Sequence, residues 1–417
     1  MITGGVPERL RTRVNQAAHR LAEHAGERVA IDAGTALDRL CWFLGADLAG
    51  AAALVVEPTW TARERAAVLA DARPSAVVTG TPSGPSHDFA PVGDAGTHFY
   101  LPTTSGSSGR PKVLVRSRRS WLDSFAALDL GLGPDDVVLV PGPLSSSLFL
   151  FGALHALHSK AEVHLLERWS AAEAAESRAT VVHLVPAMLS ALLPELAGSP
   201  LRTVVCAGAR LDPALRSRLR RSGRELVEYY GSAEQSLIAV DRGDGLRPVV
   251  DVEARDGQLW ARSDLVFDGY LENGVRRFPA GWQDGWSSVG DRGVLHEDGT
   301  LEVRGRSSSV LNSGARMVSA EDVESVLRDV EGVRDVLVSA TPHPRFGDLV
   351  TALVEVDAAA PPSLRALRAH ARETLEPAKR PRRWLATTEL PRTAAGKLAR
   401  TRAAEQLRDG TFEGRAL

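Results

Sequence analysis

Between residues 103 and 112 the chain places Thr103, Thr104, Ser105, Gly106, Ser107, Ser108 and Gly109 ahead of Lys112. Small residues let a backbone come close to a polyanion, hydroxyls and amide N–H groups donate to its oxygens, and a lysine adds a point charge. That is the chemistry of a phosphate loop. It is not the loop of kinases and GTPases, because G-x-x-x-x-G-K-[ST] fits neither here nor around Gly396 and Lys397. By residue type alone the stretch also suits a flexible Ser/Gly linker, and Lys112 an ordinary surface position. Lysine is scarce, however: of 50 basic residues four are lysines, Lys112, Lys160, Lys379 and Lys397, so a lysine within a glycine-rich motif invites an explanation.

The elements that must carry this loop are legible as hydrophobic patterns. RVNQAAHRLAEHAG has helical spacing, RVAID reads as a short buried strand, and RERAAVLADARPSAVVTG as a helix followed by a strand. Short Val/Leu-rich runs follow in DVVLVPG, AEVHLL, TVVHLVP, LRTVVCAGA and ELVEYYG, each closed by Gly, Pro or a polar turn. Such alternation predicts a parallel sheet with crossover helices, in which ligands gather beyond the carboxyl ends of the strands. From about residue 251 the texture changes to alternating segments rich in Gly and Trp, which suits antiparallel hairpins. A second unit begins near Arg306, with a helix at AEDVESVLRDVEG, strands at VRDVLVSATP and VTALVEVD, a helix at PPSLRALRAHARETL and a polar tail. The expected fold is α/β, turning α+β in the C-terminal part. A large domain, 1–305, holds parallel-rich βα sheets and a small antiparallel subdomain; a small mobile α+β domain, 306–417, follows.

Composition narrows the function classes. Fifty basic against 52 acidic residues leave a formal net charge of −2, so no global positive field draws the chain to nucleic acid or anionic lipid. The start lacks an apolar leader core and the longest apolar stretches are too short to span a bilayer, which predicts no membrane partner and a cytoplasmic protein. Two cysteines, Cys41 and Cys206, sit in apolar runs and read as core thiols.

The segment TSGSSGRPK resembles the phosphate-loop signature of the adenylate-forming superfamily, which comprises acyl-CoA synthetases, adenylation domains of nonribosomal peptide synthetases and luciferases. Further segments follow in the family's order. CAGARL resembles the Gly-Gly-Ala adenine loop and YYGSAE the Tyr-Gly-x-Thr-Glu segment; GYLENG and DGWSSVGD lead to Asp291; GRSSSVLNSGARMVSAEDVE resembles the hinge and LPRTAAGKLAR the C-terminal lysine motif. The two N-terminal patterns also resemble family signatures, so the likeness covers nearly the whole chain.

The resemblance implies roles residue by residue. Thr104, Ser105, Gly106, Ser107, Ser108 and Gly109 would wrap the β- and γ-phosphates of ATP, with Lys112 beside them. Gly208 and Ala209 would let adenine lie on the backbone, and Tyr230, followed by Gly231 and Ser232, would offer an aromatic face. Tyr230 by residue type alone also suits plain core packing. Glu234 corresponds to a Mg²⁺-binding glutamate, an oxygen ligand suited to a hard cation, although a carboxylate at a helix N-terminus is the other use of such a residue. Asp291 corresponds to the aspartate that grips ribose hydroxyls; a turn aspartate capping its own backbone is the alternative. Arg306 and Arg316 would touch ribose or phosphate from the hinge. Lys397 would place its ammonium where charge builds as a carboxylate attacks the α-phosphate.

The expected activity is AMP-forming activation of a small carboxylic acid, followed by thioester formation with CoA. A stand-alone enzyme loading an acyl or aryl acid onto a separate phosphopantetheinyl carrier protein is the alternative, and a non-catalytic nucleotide-binding module a third reading. The resemblance also implies that the small domain closes for the first step and swivels for the second. Four departures qualify the pattern: Ser309 where the hinge usually has Asp or Lys, Ala233 for threonine, Val113 for glycine after the loop lysine, and PLSSSLFLFG where many relatives have, near Ser146, a histidine or aromatic that gates the acyl pocket. In size the chain is similar to o-succinylbenzoate-CoA ligases. SSSLFLFGALHAL has no acidic residue to pair with a substrate ammonium, which favours an apolar acyl or aryl acid over an α-amino acid.

Overall fold

Five short runs of β-branched and aliphatic residues, each flanked by a turn residue, line up side by side as a parallel sheet. Glu162–Leu165, Val137–Val140, Val181–Leu184, Thr203–Ala207 and Glu225–Ser232 are adjacent in that order, and Ser236–Asp241 and Arg247–Pro248 extend the sheet in the antiparallel sense. Val181–Leu184 and Thr203–Ala207 are buried at every position, as strands covered on both faces must be. The structure, a computed structural model, describes residue 2 and residues 7–104, 111–279, 282, 284–306, 310–313, 316–343, 347–357, 359–375, 377 and 379–417.

A second sheet orders Ala76–Thr79, Arg28–Asp32, Ala52–Val55, His98–Tyr100 and Arg116–Ser117, the first four parallel. Helices Glu8–Leu21, Ala36–Leu48 and Ala62–Ala72 serve it, the last opened by a capping box between Thr61 and Glu64. One continuous apolar core joins these two sheets, running from Val14 and Phe43 through Phe99 and Trp121 to Leu139, Val182 and Val205. Both cysteines are buried, as their apolar surroundings predict; burial pushes the Cys41 thiol up to about 11 and that of Cys206 higher still.

Between residues 251 and 306 the strands pair antiparallel. Asp251–Arg255, Gln258–Arg262, Asp291–Leu295 and Leu301–Arg306 form one sheet. The hairpin Tyr270–Glu272 and Val275–Arg277 departs from this grouping. It pairs with Lys112–Leu114, which itself pairs with Thr103–Thr104, so the segment after the phosphate loop and GYLENG share a sheet.

From Val310 onward the strands make a separate sheet centred on Gly347–Val356. The strict alternation of its strands feeds two apolar layers. Val336, Val338, Ala352 and Val354 pack with Val323, Leu327 and Leu367 of helices Ala320–Leu327 and Leu364–Thr374, while Leu337, Leu353 and Leu385 pack on Ala403 of Arg400–Asp409. The stretch read as a polar tail thus supplies strand Arg383–Thr387, that helix and strand Arg415–Ala416. Of the helix, Ala403 and the half-buried Leu407 join that apolar layer, too few to register as a period. No described helix is long and apolar enough to cross a membrane.

Candidate active site

Adjacent strand ends bring the predicted nucleotide residues together. Thr203–Ala207 runs out into Gly208 and Ala209, with Gly208 at φ +90, a conformation that side chains disfavour. Beside it, Glu225–Ser232 presents Tyr230, Gly231 and Ser232 before turning at Ala233–Gln235 into Ser236–Asp241. A bulge falls between Tyr230 and Gly231, where a Cβ on Gly231 would stand 1.9 Å from the Ser236 carbonyl oxygen, so only glycine fits. The Ser232 hydroxyl accepts from Gln235 N–H at 3.0 Å, closing the turn, and the Gln235 amide donates to Ser287 O and Oγ, both at 3.0 Å.

Tyr230 and Asp291, 61 positions apart, meet directly: the phenol donates to Asp291 Oδ2 at 2.6 Å. The Tyr230 ring packs on the cluster of Ile238, Ala239 and Leu259. Its packing role and its place at the site therefore coexist. Asp291 is buried at the start of strand Asp291–Leu295, opposite Arg306 in backbone register, and not in a turn.

Glu234 is 6% exposed and lies in the tight turn, which removes the helix N-terminal alternative. Two residues that sequence reasoning did not single out hold this turn. Arg116, fully buried, donates through Nη1 to Ala233 O at 2.7 Å and Glu234 O at 3.3 Å, and through Nη2 to Leu265 O. Burial pushes its guanidinium down to about 10, with Asp268 and Glu234 opposing the shift. Tyr270 donates its hydroxyl to Glu234 Oε1 at 3.1 Å, and Lys112 Nζ stands 4.8 Å from the Tyr270 ring centroid. Tyr270 belongs to the GYLENG segment, whereas Arg116 follows the apolar Val113-Leu114-Val115 as the first of several basic residues, and nothing local marks it as buried. Thr104 stands opposite Lys112 in register. Ser105, Gly106, Ser107, Ser108, Gly109 and Ser309 lie outside the described residues, as do the side chains of Arg306 and Arg316.

Lys397 reaches this site from the C-terminal sheet. Its Cε and Nζ lie 2.6 and 3.0 Å from the point where a Cβ on Gly208 would stand. A tight loop presents it: Thr393 N–H donates to Lys397 O at 2.7 Å, Gly396 N–H to Thr393 O at 2.8 Å, and Gly396 takes φ +77. Ala395 packs against the core of the larger part, and Gly396 leaves room for Val185. The base of the loop is anchored by Arg392, which donates to Asp335 at 2.7 Å and Glu355 at 3.2 Å; Arg328, donating to Asp335 at 2.8 Å, and then Arg392 hold the Asp335 carboxyl below its usual range even against its burial.

The segment around Ser146 opens helix Ser147–His158, whose residues Leu148 to Leu157 are all buried. Tyr100, inside an aromatic cluster with Phe43, Phe99 and Trp121, touches Ser147 Oγ at 3.3 Å. The segment carries no acid of its own, yet the fold brings Glu57 to its edge, where Ser145 donates to Oε2 at 2.6 Å. The other oxygen accepts from Thr59 N–H at 3.0 Å and its hydroxyl at 2.9 Å, so three donors already satisfy this carboxylate.

The class is that of the adenylate-forming enzymes, as the comparison with known proteins shows. The chain belongs to the AMP-binding enzyme family, whose model matches residues 8–97 and 85–271, while that of the AMP-binding enzyme C-terminal domain matches 322–397. It is similar to an uncharacterized acyl-CoA ligase, YhfT, of Bacillus subtilis, 29% identical over 92% of this chain and 88% of that one. A 2-succinylbenzoate–CoA ligase of Listeria monocytogenes is 26% identical over 73% of this chain and 69% of its own. Among solved structures, ATP-bound MatB from Rhodopseudomonas palustris has the same fold, with a TM-score of 0.85 at 22% identity over 97% and 93% of the two chains.

Proposed function

We propose that this enzyme joins a carboxylic acid to the thiol of CoA in two steps. In the first, a carboxylate oxygen attacks the α-phosphorus of ATP, forming the acyl-adenylate while the bond to pyrophosphate breaks. In the second, the thiol sulfur attacks the acyl carbon, forming the thioester as AMP leaves and the thiol proton passes to solvent. The observation that carries this reading is the Lys397 ammonium lying against Gly208, at the strand ends that also bear Tyr230 and Asp291. A cation there stabilises the charge that develops on the α-phosphate and leaving oxygens.

Gly208 and Ala209 take the adenine edge, Asp291 accepts from the ribose hydroxyls beside the Tyr230 phenol, and the Thr104 to Gly109 loop with Lys112 takes the outer phosphates. Glu234 fits magnesium: it is a single buried carboxylate, and no cluster of three or more His, Cys, Asp or Glu side chains stands among the described residues. Mg²⁺ keeps most of its water and shares phosphate oxygens, so one carboxylate is the donor set it needs. When bound it neutralises charge on the phosphates. Residues 306–417 form the lid, dividing from 1–305 at the hinge, and alternation of that lid serves both steps. The buried helix segment Leu148 to Leu157, which has no acidic residue, supports an apolar acyl or aryl acid as substrate.

The test is pyrophosphate exchange into ATP across a panel of aliphatic, aryl and amino acids, followed by CoA or pantetheinylated carrier with the best acid. Exchange with an apolar acid and thioester on CoA are expected. Lys397→Ala should cut exchange by about 10² to 10³ with ATP binding retained. Exchange with no acid in the panel would remove the reading.

A further inference from the structure

A metal-facing glutamate works only if its carboxylate is already aimed. Glutamate has three rotatable bonds, and ordering a free one costs side-chain entropy. Around Glu234 that ordering is built as a closed circuit. The Glu234 carbonyl accepts from Phe267 N–H at 2.7 Å; the Phe267 ring meets the Tyr270 ring edge-on, 4.8 Å between centroids at 67°; and the Tyr270 hydroxyl returns to Glu234 Oε1 at 3.1 Å. Tyr270 cannot drift, because its strand pairs Tyr270 with Leu114 and Leu271 with Val113, directly after the phosphate loop. On the ring lies Lys112 Nζ, 4.8 Å from the centroid. A cation on a phenol ring withdraws electron density from it, which makes the hydroxyl a stronger donor to the anion beyond.

We propose that Tyr270 is a positioning residue for magnesium-dependent ATP binding: its hydroxyl selects the rotamer of Glu234, and its ring holds Lys112 beside the same phosphates. The inference rests on the reading of Glu234 as the carboxylate that faces magnesium. One lone pair of that carboxylate is taken by Tyr270, and the others stay available to a hydrated cation. Partners that orient a metal-facing side chain are worth about 10- to 100-fold in metal affinity. The two functions of Tyr270 separate by substitution. Phenylalanine keeps the ring under Lys112 and against Phe267 while removing the hydroxyl. Leucine removes both.

The experiment measures ATP binding by calorimetry at a series of Mg²⁺ concentrations, with no carboxylic acid present. Tyr270→Phe should raise the Mg²⁺ concentration for half-maximal ATP binding by about 10-fold, and leave the weak binding of ATP in EDTA unchanged. Tyr270→Leu should weaken binding in EDTA as well, because Lys112 loses its seat. Glu234→Gln should raise the Mg²⁺ requirement, and adding Tyr270→Phe to it should raise it no further. Tyr270→Leu also lacks the hydroxyl, so it should raise the Mg²⁺ requirement as well and answers the question if the phenylalanine variant does not fold. A Mg²⁺ requirement that moves in Glu234→Gln but in neither Tyr270→Phe nor Tyr270→Leu overturns the inference alone. A requirement unmoved in Glu234→Gln overturns the metal reading of Glu234 together with it.

Discussion

At Gly208 a single missing side chain makes room for Lys397, the residue proposed to carry the first step. With no Cβ on Gly208, the lysine Cε sits within 2.6 Å of the position a methyl would fill. In Gly208→Ala the methyl would displace the flexible end of Lys397 and strain a backbone held at φ +90. The thiol step needs no ammonium at that point. Gly208→Ala is therefore expected to slow pyrophosphate exchange by at least about 10-fold while thioester formation from supplied acyl-adenylate falls much less. Measuring both half-reactions separately checks this, and equal losses in the two would show that the glycine serves nucleotide binding alone.

At the scale of elements, the hairpin Glu225–Ser232 and Ser236–Asp241 organises the site, because its turn carries Glu234 and its bulge aims Tyr230. Gly231→Ala would press a methyl into the Ser236 carbonyl at 1.9 Å, a backbone clash that no rotamer relieves. A loss of about 3 kcal/mol or more is expected, read as a lower urea midpoint. Gly34→Ala, with nothing within 4 Å, is the control and should leave the midpoint in place. The strands of this hairpin and of the parallel sheet were legible because β-branched runs ending in Gly or Pro have few other uses. RVAID became the strand Arg28–Asp32 as written. Pairings across the chain were not legible in the same way. Nothing local in Arg116-Ser117-Arg118-Arg119 distinguishes it from a solvated basic run, yet Arg116 and Arg118 are each 1% exposed. Arg116 staples the Glu234 turn, and Arg118 binds Asp47 at 2.6 Å in the core. Likewise the sequence marked Tyr230 and Asp291 as separate motif members, and their hydrogen bond exists only because the antiparallel sheet folds back over the parallel one. Glu57 shows the same limit, since an acid absent from the Ser146 segment arrives from a loop 88 residues away.

For the whole molecule, the core between the parallel sheet and helix Ser147–His158 carries a pH liability. His183 lies on a fully buried strand against Gly152, and neither of its ring nitrogens has a hydrogen-bond partner among the described residues. His155, one turn beyond Gly152, stacks on Phe125 with ring centroids 5.0 Å apart. Burial pushes His183 down to about 3 and His155 to about 4; His155 adds to the effect on His183, and His158 to that on His155 while Asp129 opposes it. Both rings are therefore neutral in the folded state, whereas in the unfolded chain they take up protons at about pH 6.5. Stability from this source is fully present above that pH. Below it the unfolded state binds more protons, so stability falls as pH drops toward the folded values, by up to about 1.4 kcal/mol per histidine per pH unit. Urea unfolding at pH 8, 7, 6 and 5 is expected to show little change over the first step and a fall that steepens over the next two. The double variant His155→Leu, His183→Leu should flatten that fall even where it lowers stability at pH 8. If its slope between pH 6 and 5 matched the parent's, the acid sensitivity would belong to the carboxylates of the buried ion pairs, and the two histidines would be no more than neutral packing.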